Sequence, residues 1–340
     1  MAKILLNELC SLQFESCWRK ELAQTITDPE QLLAELDIDK DSFVAGFAAR
    51  KLFPLRAPRP FIAKMKKGDV NDPLFLQVMT QQQEFEQVAG FTQDPLQEQE
   101  AVLPGLLHKY KSRVLILLRG GCAINCRYCF RRHFPYQDNA LNQDKIAQIV
   151  SYVQSHPEIN EVVLSGGDPL MAQDHHIASL LTQLEPIDHL TRLRIHTRLP
   201  VVIPQRLTPE LADMLKNSRL KVIVVLHINH ANEIDALLAE RLAKFKQSNI
   251  TLLNQAVLLK GINDNVDTLV QLSERLFAVG ILPYYIHLFD KVAGAAHFYL
   301  NDEQVKPLQQ GLLAELPGFL VPKWVREEAG LTSKSPVVLI

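Results

Sequence analysis

No apolar stretch in this 340-residue chain approaches the length, about 20 residues, that a helix needs to cross a bilayer. The sequence therefore predicts no membrane span. It also lacks an excess of either charge: 36 Lys and Arg face 38 Asp and Glu, a formal net charge of −2. No global field draws such a chain to nucleic acid or an anionic surface. No internal repeat and no low-complexity tract is visible, which argues against a solenoid or a disordered tail. The opening run Met-Ala-Lys-Ile-Leu-Leu-Asn-Glu loses its apolar character too early for a secretory signal. Cysteine is scarce, five in all, three of them in one loop. That usage suits a reducing, cytoplasmic compartment rather than a disulfide framework. What remains, 47% hydrophobic and 22% charged residues, is the composition of an ordinary globular enzyme.

The three grouped cysteines are Cys122, Cys126 and Cys129, in the run Gly-Cys-Ala-Ile-Asn-Cys-Arg-Tyr-Cys-Phe. They follow an apolar stretch, 114–118, that reads as a buried strand. Iron–sulfur cubes are usually held by four cysteines. Three would leave one iron open to bind a small molecule and pass it an electron. Tyr128 would shield one face of such a cluster. The alternative is a zinc site completed by His133, four residues after Cys129, or by Cys10 or Cys17.

Pattern along the chain divides it in three. Residues 1–104 read as a mainly helical accessory region, with helices at 18–26, 28–36 and 75–88 interrupted by Pro54, Pro58 and Pro60. Residues 105–300 alternate strand-like runs with amphipathic helices, and 301–340 form a C-terminal segment. The strands are 114–118, 161–165, 193–197, 221–228, 251–259 and 283–289. Their Val, Ile and Leu content suits a parallel sheet covered on both faces. Helical spacing falls between them, at 146–153, 209–215 after Thr208, 232–245 and 266–279 before Gly280. Six such units predict an α/β fold, an incomplete (β/α)6 TIM-like barrel rather than a doubly wound sheet. Chemistry in such barrels sits where the strands end. The cysteine loop ends the first of them. The second ends in Ser-Gly-Gly-Asp-Pro-Leu, where Gly166 and Gly167 permit close backbone approach and Asp168 can accept from an ammonium. His196, His227, Gln255 and His287 lie on later strands.

The cysteine loop and the Gly-Gly-Asp turn together resemble the radical S-adenosylmethionine enzymes. In that family the open iron binds the amino and carboxylate groups of S-adenosylmethionine and reduces it to a 5′-deoxyadenosyl radical. Over residues 75–340 the motifs are similar to those of the lysine 2,3-aminomutases, which also use pyridoxal 5′-phosphate. The resemblance implies that Cys122, Cys126 and Cys129 hold a [4Fe–4S] cluster. It implies that Gly166, Gly167, Asp168, His227 and Gln255 contact S-adenosylmethionine. Lys334 matches the lysine that carries pyridoxal phosphate, with Tyr110, Arg113 and Lys109 beside it. Lys109 replaces a usual arginine, which keeps the charge and loses the bidentate fork. Arg131 matches the residue that takes the substrate carboxylate, and Asp290 and Glu327 the two acids that take the distal ammonium. Glu327 stands where the family usually has aspartate.

The implied reaction converts (S)-α-lysine to (R)-β-lysine. A 2,3-aminomutase for arginine is the alternative within the class, and a zinc-binding module the alternative outside it. The short C-terminal segment lacks the cysteine-bearing zinc tail of longer family members, so no structural zinc is expected. It resembles the bacterial branch that supplies β-lysine for modifying elongation factor P. The implied partners are lysine, a reducing electron donor and the enzyme that attaches β-lysine to that factor, with no nucleic acid and no membrane.

Overall fold

The computed structural model describes residues 17–99, 101–247 and 250–339. Cys10 and the first residues, on which the secretory reading rests, lie outside them.

One open sheet of nine strands organises the chain, in the order β1 to β9. Its centre is the six expected strands: β2 (Arg113–Arg119), β3 (Glu161–Gly166), β4 (Arg192–Thr197), β5 (Lys221–His227), β6 (Thr251–Val257) and β7 (Leu282–His287). They pair in parallel with their sequence neighbours. The sheet then continues into 301–340, where β8 (Lys323–Arg326) pairs in parallel with β7. Two antiparallel strands complete the edges. They are β1 (Leu106–Tyr110), beside β2, and β9 (Ser335–Pro336), beside β8.

Helices fill the crossovers. They are α1 (Gln143–Ser155), α2 (Asp174–Leu184), α3 (Pro209–Lys216), α4 (Ala236–Gln247), α5 (Val266–Ala278) and α6 (Asp302–Glu315). Their starts follow capping chemistry: Asn142, Thr208, Asn265 and Asn301 each accept a backbone N–H of the first turn. The strand pattern explains why the barrel has two unlike surfaces. Along β4, Leu193, Ile195 and Thr197 are buried, while Arg192, Arg194 and His196 are only partly so. Side chains alternate across a strand. One face therefore feeds the apolar core, and the other presents polar groups that include the cavity-lining Arg194 and His196.

The accessory region differs from its expected form. The helix at 29–35 is present, but 75–88 contains turns and one 3-10 helix, Gln82–Phe85. Asp72 Oδ1 accepts from the Leu74 and Phe75 N–H groups and sets a tight turn. The Gln77 carbonyl is taken by Arg127 N at 2.9 Å, so a helical ladder has no acceptor there. Tertiary partners replace the local ones. Leu74, Phe75, Val78 and Met79 are buried in the same core as the barrel strands. No described helix is long and apolar enough to cross a membrane.

Candidate active site

The accessory region grips the cysteine loop. Asn125 N bonds the Arg56 carbonyl and Arg127 N the Gln77 carbonyl. Arg127 Nε donates to Glu84 Oε1 at 2.9 Å, and Arg132 Nη2 to Glu84 Oε2 at 2.7 Å. Glu84 is 2% exposed, so this shared carboxylate is a buried anchor. Removing it would strand two guanidinium groups away from water. Within the loop, Cys129 N bonds the Cys126 carbonyl at 3.0 Å.

The three thiols line one cavity of about 440 Å3 at the C-terminal ends of the parallel strands. Burial pushes all three thiols upward, Cys129 to about 11; nearby negative charge adds to it, from Asp168 and the other sulfurs at Cys122, from Glu233 at Cys126 and from the Cys126 sulfur at Cys129. Without a cation these groups resist ionisation; a metal would overcome that resistance, because cysteine ligates as thiolate. Arg198 Nη1 donates to Cys126 Sγ at 3.2 Å, which favours the charged sulfur. Three soft donors, a guanidinium and the Tyr128 ring suit an iron–sulfur cluster. Among the described residues no group of three His, Cys, Asp or Glu side chains is spaced to hold a single metal ion. His133 Nε2 is instead 3.2 Å from the Ala293 carbonyl, and Cys17 is exposed outside the cavity lining.

The Gly-Gly-Asp turn packs directly on that loop. Gly166 has φ +123, and a Cβ there would lie 2.4 Å from the Arg119 carbonyl oxygen; one on Gly167 would lie 2.6 Å from that of Gly121. Any side chain would push the turn off the cysteines. Asp168 is more committed than the sequence suggests. Its Oδ1 accepts from Leu170 N and Thr197 Oγ1, and its Oδ2 from Arg198 N and Leu199 N, at 2.7–3.0 Å. The carboxylate is 4% exposed and ties β3 to β4. Four protein donors thus occupy the carboxylate that the sequence offered to a ligand ammonium. One strand further on, His227 and Gln255 are register partners on β5 and β6. Gln255 Nε2 donates to His227 Nε2 at 2.9 Å. Burial lowers His227 to about 3, so the ring is neutral and its nitrogen can accept.

Lys334, Glu327, Asp290, Tyr110, Arg113, Lys109 and Arg131 line the same cavity. Lys334 Nζ forms an ion pair with Glu327 Oε2. Tyr110 OH donates to Glu327 Oε1 at 3.0 Å, and Lys109 Nζ lies 4.0 Å from that oxygen. Burial raises the Glu327 carboxyl, but the Lys334 and Lys109 charges outweigh it and hold the group low. Asp290 has the opposite outcome. Burial and the nearby Glu327 charge lift it to about 7. The Arg113 guanidinium stacks 4.1 Å over the Tyr110 ring. Arg131 donates from Nε to Glu98 Oε2 at 2.6 Å and from Nη1 to Ser165 Oγ at 3.1 Å.

The structure adds residues that were not singled out from the sequence. Glu98, 4% exposed, bridges Arg131 and Lys109, with Lys109 Nζ 3.0 Å from its Oε1. It sits in the polar run Gln-Glu-Gln-Glu, where nothing marks one carboxylate as buried. Arg198 directly follows β4, and the strand-end rule could have found it. Five cavity-lining residues, Arg194, His196, Arg198, Gln255 and His287, each carry a buried polar atom with no partner among the described residues. Buried polar groups normally have partners. Such residual demand fits polar cofactors at this end of the sheet.

A largely parallel open sheet whose strand β2 runs into three half-buried cysteines defines the radical S-adenosylmethionine class, and the Radical SAM superfamily description matches residues 116–272. The particular family follows from curated relatives. L-lysine 2,3-aminomutase of Escherichia coli (strain K12) is 52% identical over 323 residues, 95% of this chain and 94% of that protein. The Haemophilus influenzae enzyme of that name is also 52% identical, over 94% of this chain and 95% of its own. The Clostridium subterminale enzyme is 32% identical, over 94% of this chain and 77% of its own. The chain belongs to the lysine 2,3-aminomutase family. A solved structure titled native anSMEcpe with bound AdoMet is similar at a TM-score of 0.45 and 14% identity, over 60% of each chain. The cofactors of the family are a [4Fe–4S] cluster, S-adenosylmethionine and pyridoxal 5′-phosphate.

Proposed function

We propose that this enzyme converts (S)-α-lysine to (R)-β-lysine inside the single cavity that joins Cys122, Cys126 and Cys129 to Lys334. The observation that carries this reading is that shared cavity: a three-thiol loop and a lysine 205 residues later in sequence face the same space. When bound, the cluster with S-adenosylmethionine supplies a carbon radical, and pyridoxal phosphate supplies the conjugated group over which the amine migrates.

The chain's own residues bind, orient and exclude water. Cys122, Cys126 and Cys129 hold the cluster, and the Arg198 N–H group moderates the charge on Cys126. Backbone at Gly166 and Gly167, with the neutral His227 and Gln255, holds S-adenosylmethionine, while Asp168 keeps the turn in place. Lys334 carries pyridoxal phosphate covalently, and Arg113, Tyr110 and Lys109 lie beside it. Before Lys334 can act as a nucleophile it must lose a proton, and Glu327 is the carboxylate in contact with it. Arg131, oriented by Glu98, takes the substrate carboxylate through a planar fork. Asp290 and Glu327 receive the distal ammonium. Two acids favour a cationic side chain and disfavour glutamate by like-charge repulsion.

The finer reading is that β-lysine passes to a ligase that attaches it to elongation factor P in the cytoplasm, and that a reducing donor recharges the cluster. The motif resemblance supports it. The test is anaerobic turnover of reconstituted protein with lysine, arginine and glutamate. Lysine should be the best substrate and β-lysine the product. Preference for arginine would move the assignment within the class, and colourless protein without iron would remove it.

A further inference from the structure

Behind Cys126 a buried polar chain runs from the accessory region to the segment after β5. Arg198 is its centre. The Nη1 group donates to Cys126 Sγ at 3.2 Å. The Nη2 group donates to Gln77 Oε1 at 2.7 Å and to Glu233 Oε2 at 3.1 Å. The backbone N–H of Arg198 is held by Asp168 Oδ2 at 2.8 Å, so the residue is fixed at both ends. Its guanidinium also lies 5.5 Å from the Tyr128 ring centre and 5.6 Å from that of Phe61. The Arg198 side chain is 6% exposed and that of Glu233 is 0% exposed.

Glu233 is held as firmly. Its Oε1 accepts from Asn229 N, His230 N and Gln77 Nε2 at 2.9–3.2 Å, which leaves Oε2 to Arg198. Asn229 Nδ2 closes the chain, donating to Gln77 Oε1 at 3.0 Å and to Tyr128 OH at 2.7 Å. The one further cation at this point, Lys64, bonds the Glu233 carbonyl at 2.8 Å and pairs with Asp235 at 3.4 Å. A buried ion pair is weak evidence for stability, because apolar packing of the same volume does as well. What only this pair supplies is a fixed field at the sulfur. A positive charge touches Cys126, and a negative charge stands directly behind it, both out of water.

We infer that Arg198 and Glu233 are opposed positioning residues that set the reduction potential of the cluster through Cys126. The inference rests on the assignment of Cys122, Cys126 and Cys129 as the cluster ligands. Potentials of iron–sulfur clusters follow net charge, hydrogen bonds to the sulfurs and exposure. Reduction adds one electron and takes no proton from either residue. The Arg198 charge and its N–H group stabilise the reduced, more negative form. Glu233 opposes that effect from the far side of the guanidinium. The balance matters because the reduced cluster must pass its electron on to a sulfonium. Arginine alone would make the cluster easy to reduce and a poor donor. Gln77, bonded to both residues, ties this balance to the accessory region.

The test is an anaerobic redox titration of reconstituted protein, poised with dithionite and read by electron paramagnetic resonance without S-adenosylmethionine. Wild type is compared with Arg198→Gln, Arg198→Lys and Glu233→Gln, with iron content and circular dichroism measured on each. At the wild-type midpoint, the oxidised-to-reduced ratio should rise about tenfold in Arg198→Gln, a fall of about 59 mV for one electron. In Glu233→Gln the ratio should move the other way, falling at least threefold, because Gln77 still holds the guanidinium beside Cys126. Arg198→Lys keeps the charge but loses the fork, and should lie between wild type and Arg198→Gln. A purely structural role would give no such opposition of sign. Shifts of one sign in Arg198→Gln and Glu233→Gln, or an unshifted Glu233→Gln, would overturn the inference. If Arg198→Gln takes up no iron, the sign in Glu233→Gln decides alone. Loss of iron from a folded Glu233→Gln would assign the pair to loop assembly and also overturn it. A wild type without a reducible cluster would instead defeat the assignment of the cysteines.

Discussion

The two ends of the active cavity are built by opposite means. At the sulfur end, side chains are fixed by saturated hydrogen bonds and fully buried ion pairs. Asp168 accepts four donors, Glu84 anchors two arginines, and both glycines of the turn sit where any Cβ would collide. At the amine end, charges hold one another. Lys334 meets Glu327, Lys109 and Arg131 share Glu98, and Asp290 is raised to about 7 by burial and by the like charge of Glu327. A cluster needs ligands that do not move between turnovers. An amine site must exchange one ammonium for another, and groups balanced by mobile charges can do that. The sulfur end should therefore respond to mutation as all or nothing, and the amine end by degrees.

The largest expected effect lies at the sulfur end. Cys126→Ala should abolish the brown chromophore and all turnover while circular dichroism stays near that of wild type, because the loop is clamped by Arg127 and Glu84 rather than by the thiol. Full iron content and activity in this variant would break the comparison at its firmest point. Next comes Lys334→Ala, which should remove covalent cofactor attachment and isomerisation but spare iron content. Borohydride trapping with peptide mapping should label Lys334. A label on Lys260 or Lys323, both exposed outside the cavity, would contradict the assignment.

Graded effects belong to the two acids. Asp290→Asn should spare cluster assembly and cofactor uptake and weaken lysine turnover by about 2–4 kcal/mol, the usual loss when one partner of a buried charge pair is removed. The pH dependence sharpens this. Burial and Glu327 raise Asp290 to about 7, so it is neutral below that pH and anionic above. In wild type, kcat/KM for lysine should fall as pH drops through 7, approaching about tenfold per unit. In Asp290→Asn that limb should vanish. A wild-type profile flat between pH 6 and 8 would show that Asp290 does not titrate in the productive complex. The smallest effect is Glu327→Asp, which should change turnover by less than about tenfold, since charge is kept and the arm shortens by one methylene. A severe loss would mean that its reach to Lys334 and Tyr110 matters more than its charge.

The same contrast explains what was legible in the sequence. The cysteines, the Gly-Gly-Asp turn and the six central strands are local patterns, and all six strands appear in the sheet. β8 and β9 have four and two residues. They are too short to stand out by periodicity, and pairing to neighbours defines them. The segment 75–88 misled because buried apolar residues at near-helical spacing are also what a turn packed on all sides requires. Glu98 and Arg198 gain their roles from partners 33 and 72 residues away, and no local pattern carries that information. The amine end was legible only through family resemblance, because its members run from Glu98 to Lys334.

The central claim is that one cavity serves both ends in one reaction. Anaerobic turnover of lysine deuterated at C3 tests it most directly, with mass spectrometry of β-lysine and 5′-deoxyadenosine. The account predicts β-lysine carrying deuterium at C2 and deuterium appearing in 5′-deoxyadenosine, with both signals absent in Cys126→Ala and in Lys334→Ala. Deuterated 5′-deoxyadenosine without β-lysine, or β-lysine formed with no deuterium passing through 5′-deoxyadenosine, would contradict it.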